Sequence, residues 1–266
     1  MNALIQAAQA AGQVCDVLRL PNGDEAWVCH HGAHVLSWRT ADGRERLYLS
    51  PQTVWDGHTA IRGGVPVCFP QFNQQGPLAK HGFARNRTWQ RKHIQAPAPD
   101  QAELVMQLTS DASTRALWPH DFVLTLRVSL SPAQLRLTLT VHNTGDASFQ
   151  FTGALHTYLA VNDMAHTRLH GLSDAPMRFN QEVDQVFPAA QTDLVVHDGD
   201  ARITVSQSPS WPEHVVWNPG AARCATIGDL PAEGYRHMLC IEAAAVHHPI
   251  ALAPQAQWVG WQTCRV

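Results

Sequence analysis

Between Gly57 and Pro99 the chain has no aspartate and no glutamate, although 22 acids are spread over its 266 residues. The same stretch keeps Arg62, Lys80, Arg85 and Arg87. Other features are missing too. Cys15, Cys29, Cys68, Cys224, Cys240 and Cys264 form no C-x-x-C pair, which speaks against a zinc site or a disulfide framework. Buried thiols in a reducing compartment are expected instead. No uncharged apolar run approaches the roughly 20 residues of a membrane helix. The opening MNALIQAAQAAG lacks the basic start and long apolar run of a secretory leader. A cytoplasmic location without membrane association is therefore expected. There is no basic excess either: 19 Lys and Arg stand against 22 acids, for a formal net charge of −3. Non-specific nucleic-acid binding usually needs a strong basic excess, so no nucleic-acid partner is expected. Amphipathic helical patterning is nearly absent, with ALIQAAQAA (residues 3–11) as the one fair helix candidate.

What is present has a period of two. Phe122, Leu124, Leu126, Val128 and Leu130 share one face of a predicted strand, and Thr125, Arg127 and Ser129 the other. Leu135, Leu137, Leu139 and Val141 repeat the pattern after the turn-like SPAQ, which predicts an antiparallel hairpin. AELVMQLTS and ARITVSQS add strands, and 17 Gly with 17 Pro supply turns throughout. Hydrophobic residues make up 45% and charged residues 15%, a balance that favours a packed core over disorder. No repeat or linker interrupts the chain. The expectation is one all-β domain over residues 1–266, a large antiparallel β-sandwich, because so many strands must split into packed layers.

Two further stretches carry candidate chemistry. GALHTYLAV alternates from Gly153 to Val161 and puts His156 and Tyr158 on one face. MLCIEAAAV alternates from Met238 to Val246 and puts Glu242 inside an apolar run. A buried carboxylate is costly unless something pairs with it or uses it. The plain alternatives are a Glu242–arginine pair at a strand end and a structural His156. The acid-free basic stretch, broken by Gly and Pro, suggests an anion site built from loops. Trp38, Phe69, Phe72, Trp89 and Trp217 are candidates to stack on a ligand or to fill the core. A metal site at His30-His31 or His247-His248 is disfavoured, since adjacent strand residues point to opposite faces.

Taken in order, IRGGVPVCFPQF, KHGFARNRTW, GALHTYL, NQEVDQVF, VVWNPG and GYRHMLCIEAA resemble the motifs of the hexose-6-phosphate mutarotases. These glucose-6-phosphate 1-epimerases belong to the aldose 1-epimerase superfamily, and the resemblance spans roughly residues 25 to 262. It implies a galactose mutarotase-like β-supersandwich. It also implies His156 as general acid and Glu242 as general base, with Arg62, Lys80, His81, Arg85 and Asp184 holding a sugar phosphate. No cofactor or metal is implied. Gln185 departs from the Asp-Arg of many relatives, and the loop FNQQGPLA is short.

The implied reaction exchanges α and β anomers: a base takes the anomeric proton, an acid protonates the ring oxygen, and the ring opens and recloses. It requires Glu242 ionised and His156 protonated, which mutual attraction would favour. Two other functions are kept in view. One is a non-catalytic sugar binder on the same fold. The other is a glycoside hydrolase using Asp184 with Glu242, which would leave His156 and the cations idle.

Overall fold

The computed structural model describes residues 3–266. The chain opens as a meander of β1 (Leu4–Ala10), β2 (Gln13–Arg19), β3 (Glu25–Cys29) and β4 (His34–Arg39). A long irregular stretch follows, interrupted by the short β5 (Val67–Cys68). Next come β6 (Gln90–Ala98), β7 (Gln101–Thr109), α1 (Ala112–Leu117), β8 (Phe122–Ser131) and β9 (Gln134–Asn143). Then follow β10 (Phe149–Leu155), β11 (Tyr158–Ala160), β12 (Thr167–His170), β13 (Val183–Pro188), β14 (Leu194–Asp198) and β15 (Ala201–Gln207). The chain closes with β16 (Glu213–Asn218), α2 (Gly220–Cys224), β17 (Met238–Leu252) and β18 (Gln257–Arg265). The fold is the large antiparallel β-sandwich that period two predicts. One sheet holds β1 to β4. A second has the order β13-β16-β17-β10-β5, with β11 also on β17. The third has the order β12-β14-β15-β18-β9-β8-β7-β6.

The eight-stranded sheet shows why the pattern works. Leu104 lies opposite Val128, and Met106 opposite Leu126. Leu126 lies opposite Leu139, and Val128 opposite Leu137. These residues are almost wholly buried in one apolar core, where cross-strand aliphatic pairs are the unit of sheet stability. The core's other wall is β17, which alternates between two environments. Leu239, Ile241, Ala243 and Ala245 enter the common core. Met238, Cys240 and Ala244 face the opposite side, where smaller clusters form around Tyr158, Trp217 and Phe72. Glu242 lies on that second side.

Three local expectations fail. ALIQAAQAA is no helix: Leu4–Ala10 pairs along its length with Arg19–Gln13, so ladder hydrogen bonds override a helix-compatible composition. GALHTYLAV is not continuous. The strand breaks at His156 and Thr157, where the His156 amide donates to the Pro66 carbonyl in line with the β5 register and pairing on β17 resumes at Tyr158. His247 and His248 do not diverge. Pairing jumps from Phe151–Ile250 to Gly153–Ala245, and within that bulge both Nδ1 atoms reach Glu213 Oε1, at 3.2 and 3.0 Å.

Up to Thr88 the acid-free stretch forms loops clamped to the sandwich through β5 and isolated bridges; beyond it the stretch enters the eight-stranded sheet as β6. One clamp is Gly82, at φ +70°, where an added Cβ would overlap the Phe69 carbonyl. That carbonyl already accepts from the Phe83 and Ala84 amides, at 3.0 and 3.2 Å, so it has nowhere to move. Gly82→Ala is expected to cost more than about 2 kcal/mol, from overpacking together with left-handed strain. Thermal unfolding checks this, and an unchanged Tm would contradict the close approach.

Candidate active site

One cavity of about 80 Å³ is lined by Arg62, Lys80, His81, Arg85, His156, Asp184 and Glu242, together with Phe72, Asn73, Tyr158, Val215 and Trp217. All seven residues expected at the site therefore meet in one place, from four separate parts of the chain. Glu242 comes from the middle of β17, flanked by β16, where Val215 is its register partner. His156 sits in the break between β10 and β11. Asp184 is on the outermost strand of that sheet, opposite Trp217. The cations ride on the loops flanking β5. Rigid ladder thus holds Glu242, while loops carry the charge.

His156 is fixed on several sides. Its ring stacks on Tyr158 with centroids 4.7 Å apart and planes 11° apart. Trp217 meets it edge-on at 6.1 Å, and His81 at 5.3 Å. His156 Nδ1 lies 3.4 Å from Glu242 Oε1. Neither Nδ1 nor Glu242 Oε2 has a hydrogen-bond partner among the described residues. Buried polar atoms are nearly always paired, so two orphans side by side in a cavity mark atoms available to a ligand.

The protonation expected from the sequence is not what these surroundings favour. Burial first, then His81, then Arg85, Arg62 and Lys80 hold the His156 imidazole well below its ordinary value. Burial first, then the Asp184 charge, push the Glu242 carboxyl well above its own, against the pull of Lys80 and Arg85. Desolvation disfavours both charged forms, and at this depth it outweighs their attraction. The protein's own groups therefore favour a neutral imidazole beside a protonated carboxyl.

The rest of the site is ordered by hydrogen bonds. The Asn73 amide donates to His81 Nδ1 at 3.2 Å, so His81 carries its proton on Nε2 and is a neutral donor. Burial and then Arg85 push its pKa down to about 2. Arg62 Nε donates to Asp229 Oδ1 and Nη1 to the Tyr158 hydroxyl, each at 3.1 Å. Arg85 Nη2 donates to the Lys80 carbonyl at 2.8 Å, while its Nε is buried without a partner among the described residues. Arg62, Lys80, Arg85 and Tyr158 also line a wider cavity of about 700 Å³ on their other side. The two cavities thus share their basic wall.

Sequence reasoning passed over Tyr158, Asn73 and Asp229 as site residues. Tyr158 was within reach, because period two places it on the face of His156. Asp229 was not: it lies 167 residues from the arginine it pairs with.

The sequence model of aldose 1-epimerases matches residues 16–265, nearly the whole chain. The chain belongs to the aldose 1-epimerase family. A protein of Cenchrus ciliaris with the provisional name glucose-6-phosphate 1-epimerase is 36% identical over 255 residues, covering 86% of this chain and 78% of the relative. One of Escherichia coli K12 with the same provisional name is 36% identical over 233 residues, covering 80% and 77%. The solved structure of a provisionally assigned mutarotase from Salmonella typhimurium superposes with TM-score 0.90 at 30% identity, covering 98% of this chain and 93% of that one. A galactose 1-epimerase of Lactobacillus acidophilus, at TM-score 0.72 and 13% identity, shares the fold. The family is thus the one that the six motifs resemble, and its fold is the sandwich seen here.

Proposed function

We propose that the protein interconverts the α and β anomers of a hexose 6-phosphate, with glucose 6-phosphate as the leading substrate. The observation that carries this reading is the His156–Glu242 pair: Nδ1 lies 3.4 Å from Oε1, Nδ1 and Oε2 are both unpartnered among the described residues, and three cations stand in the cavity wall. Glu242 accepts the proton of the anomeric hydroxyl, and His156 gives one to the ring oxygen. The C1–O5 bond breaks, leaving an open-chain aldehyde. The C1–C2 bond turns, O5 attacks the other face of C1, and the two protons return. Atoms and charge balance without an oxidant or a metal.

Arg62 and Arg85 offer forked donors to phosphate oxygens, and Lys80 adds a point charge. Asp184, on the wall of the same cavity, would take sugar hydroxyls, and His81 would donate from Nε2. The relatives' provisional name includes the phosphosugar, and the local cation excess is what a phosphate needs on a protein of net charge −3. A cytoplasmic setting belongs to the same reading: all six cysteines are free, and no described helix is long and apolar enough to cross a membrane.

Exchange spectroscopy on equilibrated anomers tests the reading. Enzyme should broaden or cross-saturate the anomeric signals of glucose 6-phosphate well above the spontaneous rate, and more efficiently than those of glucose. Absence of any acceleration for either sugar refutes it. EDTA should leave the rate unchanged, since the step moves protons only. Loss of activity on chelation, restored by one metal, would contradict the proton-only chemistry.

A further inference from the structure

Two of the three cations of this pocket have no ion-pair partner among the described residues. Arg62 is paired with Asp229. Among the described residues neither Lys80 nor Arg85 makes an ion pair, and the Arg85 guanidinium is satisfied only by a backbone carbonyl. His156 shares the cavity with these cations. The loops present Arg62, Lys80, His81 and Arg85 to it, β11 presents Tyr158, β16 Trp217, β17 Glu242 and β13 Asp184. Ring opening needs a proton on His156, yet its setting repels one.

We propose that the substrate's phosphate is a catalytic activator as well as an anchor: seated among Arg62, Lys80 and Arg85, its negative charge cancels their repulsion at His156 and lets the imidazole carry the proton. This rests on the mutarotase reading above. The three cations that a phosphate would meet are the same three that, after burial and His81, hold the imidazole neutral. A sugar phosphate brings roughly −1.5 to −2 charges near neutrality, and in a partly dry pocket such charge acts strongly over a few ångströms. The sugar end treats Glu242 in the opposite sense. The anomeric hydroxyl donates to the orphan Oε2, and a hydrogen bond to the ionised form favours it. Each end of the substrate thereby sets the protonation of one catalytic group. Phosphate binding energy then appears in kcat and not only in KM.

Cutting the substrate in two tests this. Glucose is supplied as the sugar and phosphite dianion as the detached anion, and anomer exchange is followed by NMR. Phosphite should raise glucose exchange saturably, by roughly tenfold or more, a fraction of the 10²- to 10⁴-fold that a general acid contributes. In His156→Ala it should do nothing. Lys80→Met gives an independent check, because Lys80 is exposed and has no ion pair to lose. Removing its charge should speed glucose exchange without phosphite while slowing glucose 6-phosphate. A pure anchor would leave the glucose rate untouched. With glucose 6-phosphate still exchanged, the proposal is overturned if phosphite fails to activate glucose. It is equally overturned if Lys80→Met leaves glucose exchange unchanged or slower. No exchange of glucose 6-phosphate at all would remove the mutarotase reading, and this proposal with it.

Discussion

Replacing Glu242 by Gln should cut anomer exchange by roughly 10²- to 10⁴-fold, the scale of a lost general base. The substitution keeps the shape of the side chain and removes only its basicity. Glu242 sits in the middle of a paired strand, so Gln should stay in place. The folded state should not suffer, because an amide is easier to bury than an ionisable carboxyl pushed far from its ordinary value. Tm is expected to hold or rise while exchange collapses, a combination that a structural role for Glu242 would not give. His156→Ala should cost a similar factor in rate, but with some stability, since it empties a ring stacked on Tyr158. The double variant should lose less than the product of the two, because neither group works without the other. Near-full exchange by a folded Glu242→Gln enzyme would show that the base is elsewhere.

Arg85→Ala carries the second large effect. A charge-assisted hydrogen bond contributes roughly 1.5–3 kcal/mol, so handling of the phosphosugar should fall by about ten- to a hundredfold. The KM for free hexose should move little. Arg85 is a sharper probe than Arg62, whose charge is already matched by Asp229 and whose removal would strand that carboxylate. The competing explanation is an Arg85 that serves an internal ion pair, but among the described residues its guanidinium donates only to the Lys80 carbonyl. Arg85→Lys should recover part of the loss, because a point charge cannot reproduce the fork. Kinetics with both sugars, beside thermal unfolding, decide the matter. Equal losses on both sugars with a lowered Tm would remove Arg85 from phosphate recognition.

The strands of this protein were legible where one face is buried and the next residue is wetter, as along Phe122–Ser131 and Gln134–Asn143. They were less legible where both faces are covered. Met238–Val246 alternates, but both of its faces are apolar, and only Glu242 betrayed that the second side faces something other than core. Leu4–Ala10 misled because alanine and glutamine suit a helix, and the deciding contacts came from β2. The loop cations showed through the missing acids around them. Their ordering did not, since the Asp229 that fixes Arg62 is remote in sequence. The charge states were the least legible: residue types suggest an ion pair between His156 and Glu242, whereas depth of burial disfavours it.

The two-sided strand β17 bears on how the reaction can proceed. Ile241 and Ala243 are packed into the common core on either side of Glu242. The backbone that carries the proposed base is consequently anchored by the same contacts that hold the whole protein together, and it cannot shift toward one anomer and then the other. His156, clamped between aromatic rings, has no more freedom. The α and β hydroxyls point to opposite faces of the sugar, so the swivelling has to be done by the substrate. In the proposed reaction the enzyme would act as a stationary jig: the phosphate end is gripped, the aldehyde end turns, and whichever face comes round finds the same two groups waiting.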